Sequence, residues 1–148
     1  MRWSKLEGLR AQDVMEPNIE YVNRKTKLSE AIGKIRKNEL YELPVVEKGR
    51  IIGMISHDTL LKRKFIPITT EVESVMISPP KLRTTDSLMK IAELFLTTHF
   101  KSLPIVDEKN KLLGMVTRDN FIKILHTVKE IQDIPVEDIM SPNPIVVK

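Results

Sequence analysis

The chain repeats itself, and this limits the folds open to it more than any other feature. Asp13-Val14-Met15-Glu16-Pro17 returns as Ser74-Val75-Met76-Ile77-Ser78-Pro79 and again as Asp138-Ile139-Met140-Ser141-Pro142, with the methionines 61 and 64 residues apart. Leu43-Pro44-Val45-Val46 returns as Leu103-Pro104-Ile105-Val106, and Gly53-Met54-Ile55-Ser56 as Gly114-Met115-Val116-Thr117. Blocks that recur in one order at one spacing mark tandem copies of a single supersecondary unit. Between the Leu-Pro and Gly-Met blocks the register slips by one residue, where each copy makes a turn.

Both copies read as β-α-β-β-α. A short strand is expected at Ile19 to Val22 and at Lys81 to Arg83. A helix follows, capped by Thr26 or Asp86. Its apolar positions are Leu28, Ala31, Ile32 and Ile35 in the first copy and Leu88, Ile91, Ala92 and Phe95 in the second, both one-sided. Two strands joined by a tight turn come next, at 43–46 and 51–56, and at 103–106 and 112–117. A second helix begins after Ser56 and after Thr117, hydroxyl residues suited to N-caps, and runs to about Lys64 or Glu130. One copy of about 60 residues buries little core alone, so the two are expected to form one cooperative module. The expected units are residues 9–65, 70–130 and a third start at 134–148, read as the opening of another repeat in a longer array or as a C-terminal strand.

These blocks resemble the cystathionine β-synthase domain, or CBS domain, two of which form a Bateman module. The likeness runs from about Leu9 to about Glu130. It implies an α/β (α+β) fold in which tandem β-α-β-β-α repeats pack through their sheets with pseudo-twofold symmetry. It also implies two clefts able to take AMP, ADP, ATP or S-adenosylmethionine, and a regulatory role toward an attached or partner protein. No cofactor, no metal and no catalytic residue is expected. In the family, a hydroxyl residue followed three positions later by Asp holds the ribose. Here those places are Ser56 and Thr59 in the first copy, and Thr117 and Asn120 in the second. The cleft of the second repeat is preferred, through Pro80, Lys101, Ser102, Pro104, Thr117, Arg118 and Asn120. The weaker cleft of the first repeat is assigned Ile19, Glu42, Pro44, Ser56, His57 and Thr59. Glu42 would repel a phosphate that it faced, whereas Lys101 and Arg118 would attract one. The plainer reading of those two cations is solvated surface charge. Asp58 and Asp119 stand one residue too early and are expected to point elsewhere.

Other chemistry finds little support. The glycines form no phosphate-binding loop, the three histidines are scattered, and there is no cysteine. Lys and Arg exceed Asp and Glu by only 24 to 20, and aromatics are 5% of the chain, so a nucleic-acid surface is disfavoured despite Lys62-Arg63-Lys64. The start lacks a signal-peptide stretch and no apolar run reaches the roughly 20 residues of a membrane span, so a cytoplasmic chain is expected. The recurring methionines read as core filling. Phe65, Phe95, Leu96, Phe121 and Leu125 are expected to leave apolar helical faces that pair two copies into a homodimer. The alternative functions are a ligand-free structural or dimerisation module, or a nucleic-acid-binding module.

Overall fold

The computed structural model describes residues 8–57, 61 and 65–132, with side chains as far as 127. Trp3, Thr59, the Lys62-Arg63-Lys64 cluster and the third repeat start at 134–148 lie outside the described residues. In chain order come a short helix α1 (Ala11–Val14), α2 (Leu28–Lys37), strands β1 (Glu42–Glu47) and β2 (Arg50–Ser56), a 3-10 turn (Val72–Ser74), α3 (Leu88–Thr97), strands β3 (Ser102–Val106) and β4 (Leu112–Thr117), and α4 (Arg118–Gln132).

β1 pairs antiparallel with β2, and β3 with β4. Pro44 faces Met54 and Pro104 faces Met115, and each hairpin carries a register shift just after its central residues, between Val45 and Val46 or between Ile105 and Val106. The pairs occupy equivalent places, as the repeat requires.

The expected strands at 19–22 and 81–83 shrink to single parallel bridges, Val22 to Val45 and Leu82 to Ile105. Proline explains it. Val22 donates to the carbonyl of Pro44 at 3.0 Å and Leu82 to that of Pro104 at 2.9 Å. The next bond of a parallel ladder would need the proline's missing N–H, so pairing stops there.

The helix caps also differ from expectation. α2 starts after Lys27 with no side-chain cap. Its first N–H groups, of Leu28 and Ser29, instead reach the carbonyls of Thr70 and Ile68 at 2.8 and 2.9 Å, which satisfies the orphan donors of a helix start. Thr26 closes the preceding turn by accepting from Asn23 N–H. Asp86 does the same for Arg83, and Ser87 caps α3 by accepting from Lys90 N–H.

The two repeats exchange their opening segments. Glu16 bridges to Met115 on β4, and Ile77 bridges to Met54 on β2, both antiparallel. Ala11 and Val14 of α1 therefore join the core of the second repeat, beneath Leu103, Val116 and Phe121. Val72 and Val75 join that of the first, with Leu43 and Ile55. A third cluster, Ile51, Met54, Val106 and Met115, is shared between the hairpins. Neither repeat completes its core from its own residues.

The outer helical faces are less apolar than expected. Phe95, Phe121 and Leu125 belong to the core, and the rings of Phe95 and Phe121 lie 5.7 Å apart. Leu96 is half-buried. Phe65 remains 95% exposed, with Leu61 and Ile68 also out. Among the methionines, Met54 and Met115 are buried as expected, while Met89 is exposed.

Candidate functional site

The exchange of openings decides which residues meet. Thr117 ends β4, and its hydroxyl caps α4 by accepting from Asn120 N–H at 3.2 Å. Asn120 in turn donates its amide to the carbonyl of Val14, at 3.4 Å. Tyr41, from the first repeat, donates its hydroxyl to Asp119 Oδ2 at 2.7 Å. The N-terminus of α4 thus faces the opening segment and the pre-β1 residues of the other repeat.

The opening of the first repeat reaches β4 through the Glu16–Met115 bridge, and Ile19 beyond it packs against the shared cluster of Ile51, Met54, Val106 and Met115. The opening of the second repeat reaches β2 through the matching Ile77–Met54 bridge. A periodic sequence says that an opening strand will find a hairpin edge; it does not say whose.

Lys101 and Arg118 stay close to the α4 terminus. Arg118 N–H donates to the Lys101 carbonyl at 2.8 Å, and Lys101 Nζ stands 5.1 Å from the centre of the Tyr41 ring. That distance is within cation–π range. Arg118 Nε is buried and makes no hydrogen bond. His57, the counterpart of Arg118, donates its N–H to the Tyr41 carbonyl at 3.5 Å. Asp119 does not point idly: its bond to Tyr41, together with burial, raises the tyrosine's pKa.

Pro44, Pro104, Ser102 and Glu42 are buried in the sheets. Glu42 is 5% exposed and faces the second repeat, accepting from Lys101 N–H at 3.2 Å, with Ser102 also turned toward the carboxylate. Burial raises its pKa from the ordinary 4.5 to about 7, against the opposing pull of those hydrogen bonds and of the Lys101 charge. Glu42, assigned from sequence to the first-repeat cleft, makes a contact between the repeats. Tyr41 and Asp119 are the pair that sequence reasoning missed. Their spacing of 78 residues leaves no local signal, and only the packing of one repeat on the other brings them together.

The CBS domain family matches the chain twice, over residues 11–65 and 72–127. The chain belongs to that family and carries a CBS pair. The crystal structure of CBSX2 in complex with AMP superposes with a TM-score of 0.74 at 30% identity, covering 82% of this chain and 99% of that one. The CBS domain pair of protein MJ0100, in complex with 5'-methylthioadenosine and S-adenosyl-L-methionine, shares the fold at 17% identity and a TM-score of 0.71, over 80% and 96% of the two chains. Among curated relatives, an uncharacterized protein of Methanocaldococcus jannaschii is 24% identical over 78% of this chain but only 44% of its own length. A CBS domain-containing protein of Dictyostelium discoideum is 26% identical over 84% of this chain and 94% of its own length. Among the described residues no helix is long and apolar enough to cross a membrane.

Proposed function

We propose that this CBS pair is a non-catalytic regulatory module that senses an adenosine-type ligand, with AMP the first to test. The cleft is the one at the start of α4. The observation that carries this reading is the buried Arg118 Nε without a hydrogen bond, beside Lys101 and at a helix N-terminus. An unpartnered buried donor is costly, and a phosphate oxygen is the acceptor that a cation and a helix start favour together. Asn120 offers a ribose hydroxyl both a donor and an acceptor. Thr117 and the Val14 carbonyl, which Asn120 reaches, stand at the same helix start. The weaker counterpart in the first repeat is assigned Ser56, His57 and Thr59. CBSX2, of the same family and crystallised with AMP, supports the ligand class. In this reading the module acts in the cytoplasm, as a homodimer, on a partner protein that it regulates.

The exposed Phe65, Leu61 and Ile68 favour a second reading, a ligand-free dimerisation module. Thermal unfolding with AMP, ATP and S-adenosylmethionine separates the two. A ligand at ten times its Kd stabilises by about 1.4 kcal/mol, a shift of several degrees for a domain pair of this size. We expect that shift with AMP. An unmoved transition at millimolar concentrations of all three ligands would leave the dimerisation reading standing.

A further inference from the structure

The two hairpin turns meet across the pseudo-twofold, and there the symmetry fails in one informative way. Leu112 N–H donates to the carbonyl of Gly49 at 3.0 Å, and Ile51 N–H to that of Asn110 at 3.1 Å. Gly49 and Asn110 are therefore counterparts, and both have positive φ, 81° and 68°. Asn110 uses its amide to cover Ile51, donating to the Ile51 carbonyl at 2.7 Å, and Ile51 is fully buried. Gly49 has no side chain to do this for Leu112, which stays half-exposed, and a Cβ placed on Gly49 would meet no atom within 4 Å. On this side a groove of about 350 Å³ opens, lined by Pro17, Ile19, Val46 and Leu112 together with Tyr21, Lys48 and Lys111. That volume lies at the small-molecule end of known sites.

The charge on the rim is one-sided. Glu47 pairs with Arg24 at 3.4 Å and Glu20 with Lys34 at 3.8 Å. Asp107 accepts from the backbone N–H groups of Lys109 and Lys111 at 2.8 and 2.9 Å, so it feels the Lys111 charge without a direct ion pair. Among the described residues no carboxylate pairs with the side chain of Lys48 or Lys111. Tyr21 is 52% exposed beside them.

From this we infer that the groove is a second ligand site, distinct from the α4 cleft, for a small aromatic carboxylate. The ring lies on Ile19 and Leu112 against Tyr21, and the carboxylate sits between Lys48 and Lys111. The inference stands whether or not AMP binds at α4.

The test is titration of the full chain with 2-naphthoate, followed through backbone amide chemical shifts. Saturable shifts are expected at Tyr21, Lys48, Gly49, Lys111 and Leu112, unchanged when AMP is present. The neutral 2-naphthylmethanol should bind about tenfold more weakly, the loss of a charge-assisted contact. Gly49→Asn installs the plug that Asn110 already provides opposite, at a backbone angle Asn tolerates, and should abolish saturation. Lys48→Asn with Lys111→Gln should weaken binding at least tenfold, and decides the matter if Gly49→Asn does not fold. Naphthoate binding that survives these variants, that maps to Thr117 and Asn120, or that AMP displaces would overturn the assignment, as would the absence of saturable shifts.

Discussion

Gly114→Val should destabilise the chain by about 1–3 kcal/mol, the cost of overpacking a filled core. A Cβ on Gly114 would lie 2.6 Å from Met15 Sδ, 3.0 Å from its Cγ and 3.1 Å from the Glu16 carbonyl oxygen. One on Gly53 would lie 2.5 Å from Met76 Sδ and 2.7 Å from its Cγ. Each glycine is thus the seat for the methionine that opens the other repeat. Gly53→Ala combined with Met76→Ala, and Gly114→Ala combined with Met15→Ala, should each cost less than the sum of the single substitutions. Rescue is partial at both, because alanine keeps Met76 Cβ, 3.0 Å from the new methyl, and the Glu16 carbonyl oxygen stays at 3.1 Å. Urea unfolding of the singles and doubles measures this. Strictly additive costs, with no rescue at either site, would contradict the exchanged openings.

Glu42→Gln should stabilise the chain at pH 8 and change little at pH 4. With a native pKa near 7 and an ordinary value of 4.5, the folded state holds a proton that the unfolded state has released between those values. The stability that this proton brings is complete below about pH 4.5 and is lost as pH rises through 7. A shift of that size corresponds to at most about 3 kcal/mol. Glutamine keeps an acceptor for Lys101 N–H and never ionises. The measurement is unfolding free energy from pH 4 to 8 for both proteins. Parallel pH profiles would show that Glu42 is not held in its neutral form.

The repeat made much of the fold legible. Pro44 and Pro104, the two hairpins and the buried faces of α2 and α3 stand where the periodicity puts them. Three features were not legible, each for a physical reason. A proline's lack of an N–H trimmed the first strand of each repeat to one bridge. The linker carbonyls at Ile68 and Thr70 did the work of a cap, so Thr26 was left to its turn. Phe121 and Leu125 looked like surface because a helix stripe does not announce its partner, yet the core of the second repeat is built on them, with α1 borrowed from the chain's other end. The site suffered most from that borrowing. Thr117, Arg118 and Asn120 were readable as a helix start, whereas Tyr41 joins them only through the packing of one repeat on the other.

The central claim is that an adenosine-type ligand binds at the start of α4, and calorimetric titration of AMP into the wild type, Asn120→Ala and Thr59→Ala tests it most directly. Loss of one or two hydrogen bonds to ribose, each worth about 0.5–1.5 kcal/mol, should weaken AMP binding to Asn120→Ala by roughly tenfold. Binding to Thr59→Ala should match the wild type. The opposite pattern, with Thr59→Ala losing AMP and Asn120→Ala retaining it, would contradict the account and move the ligand to the other cleft.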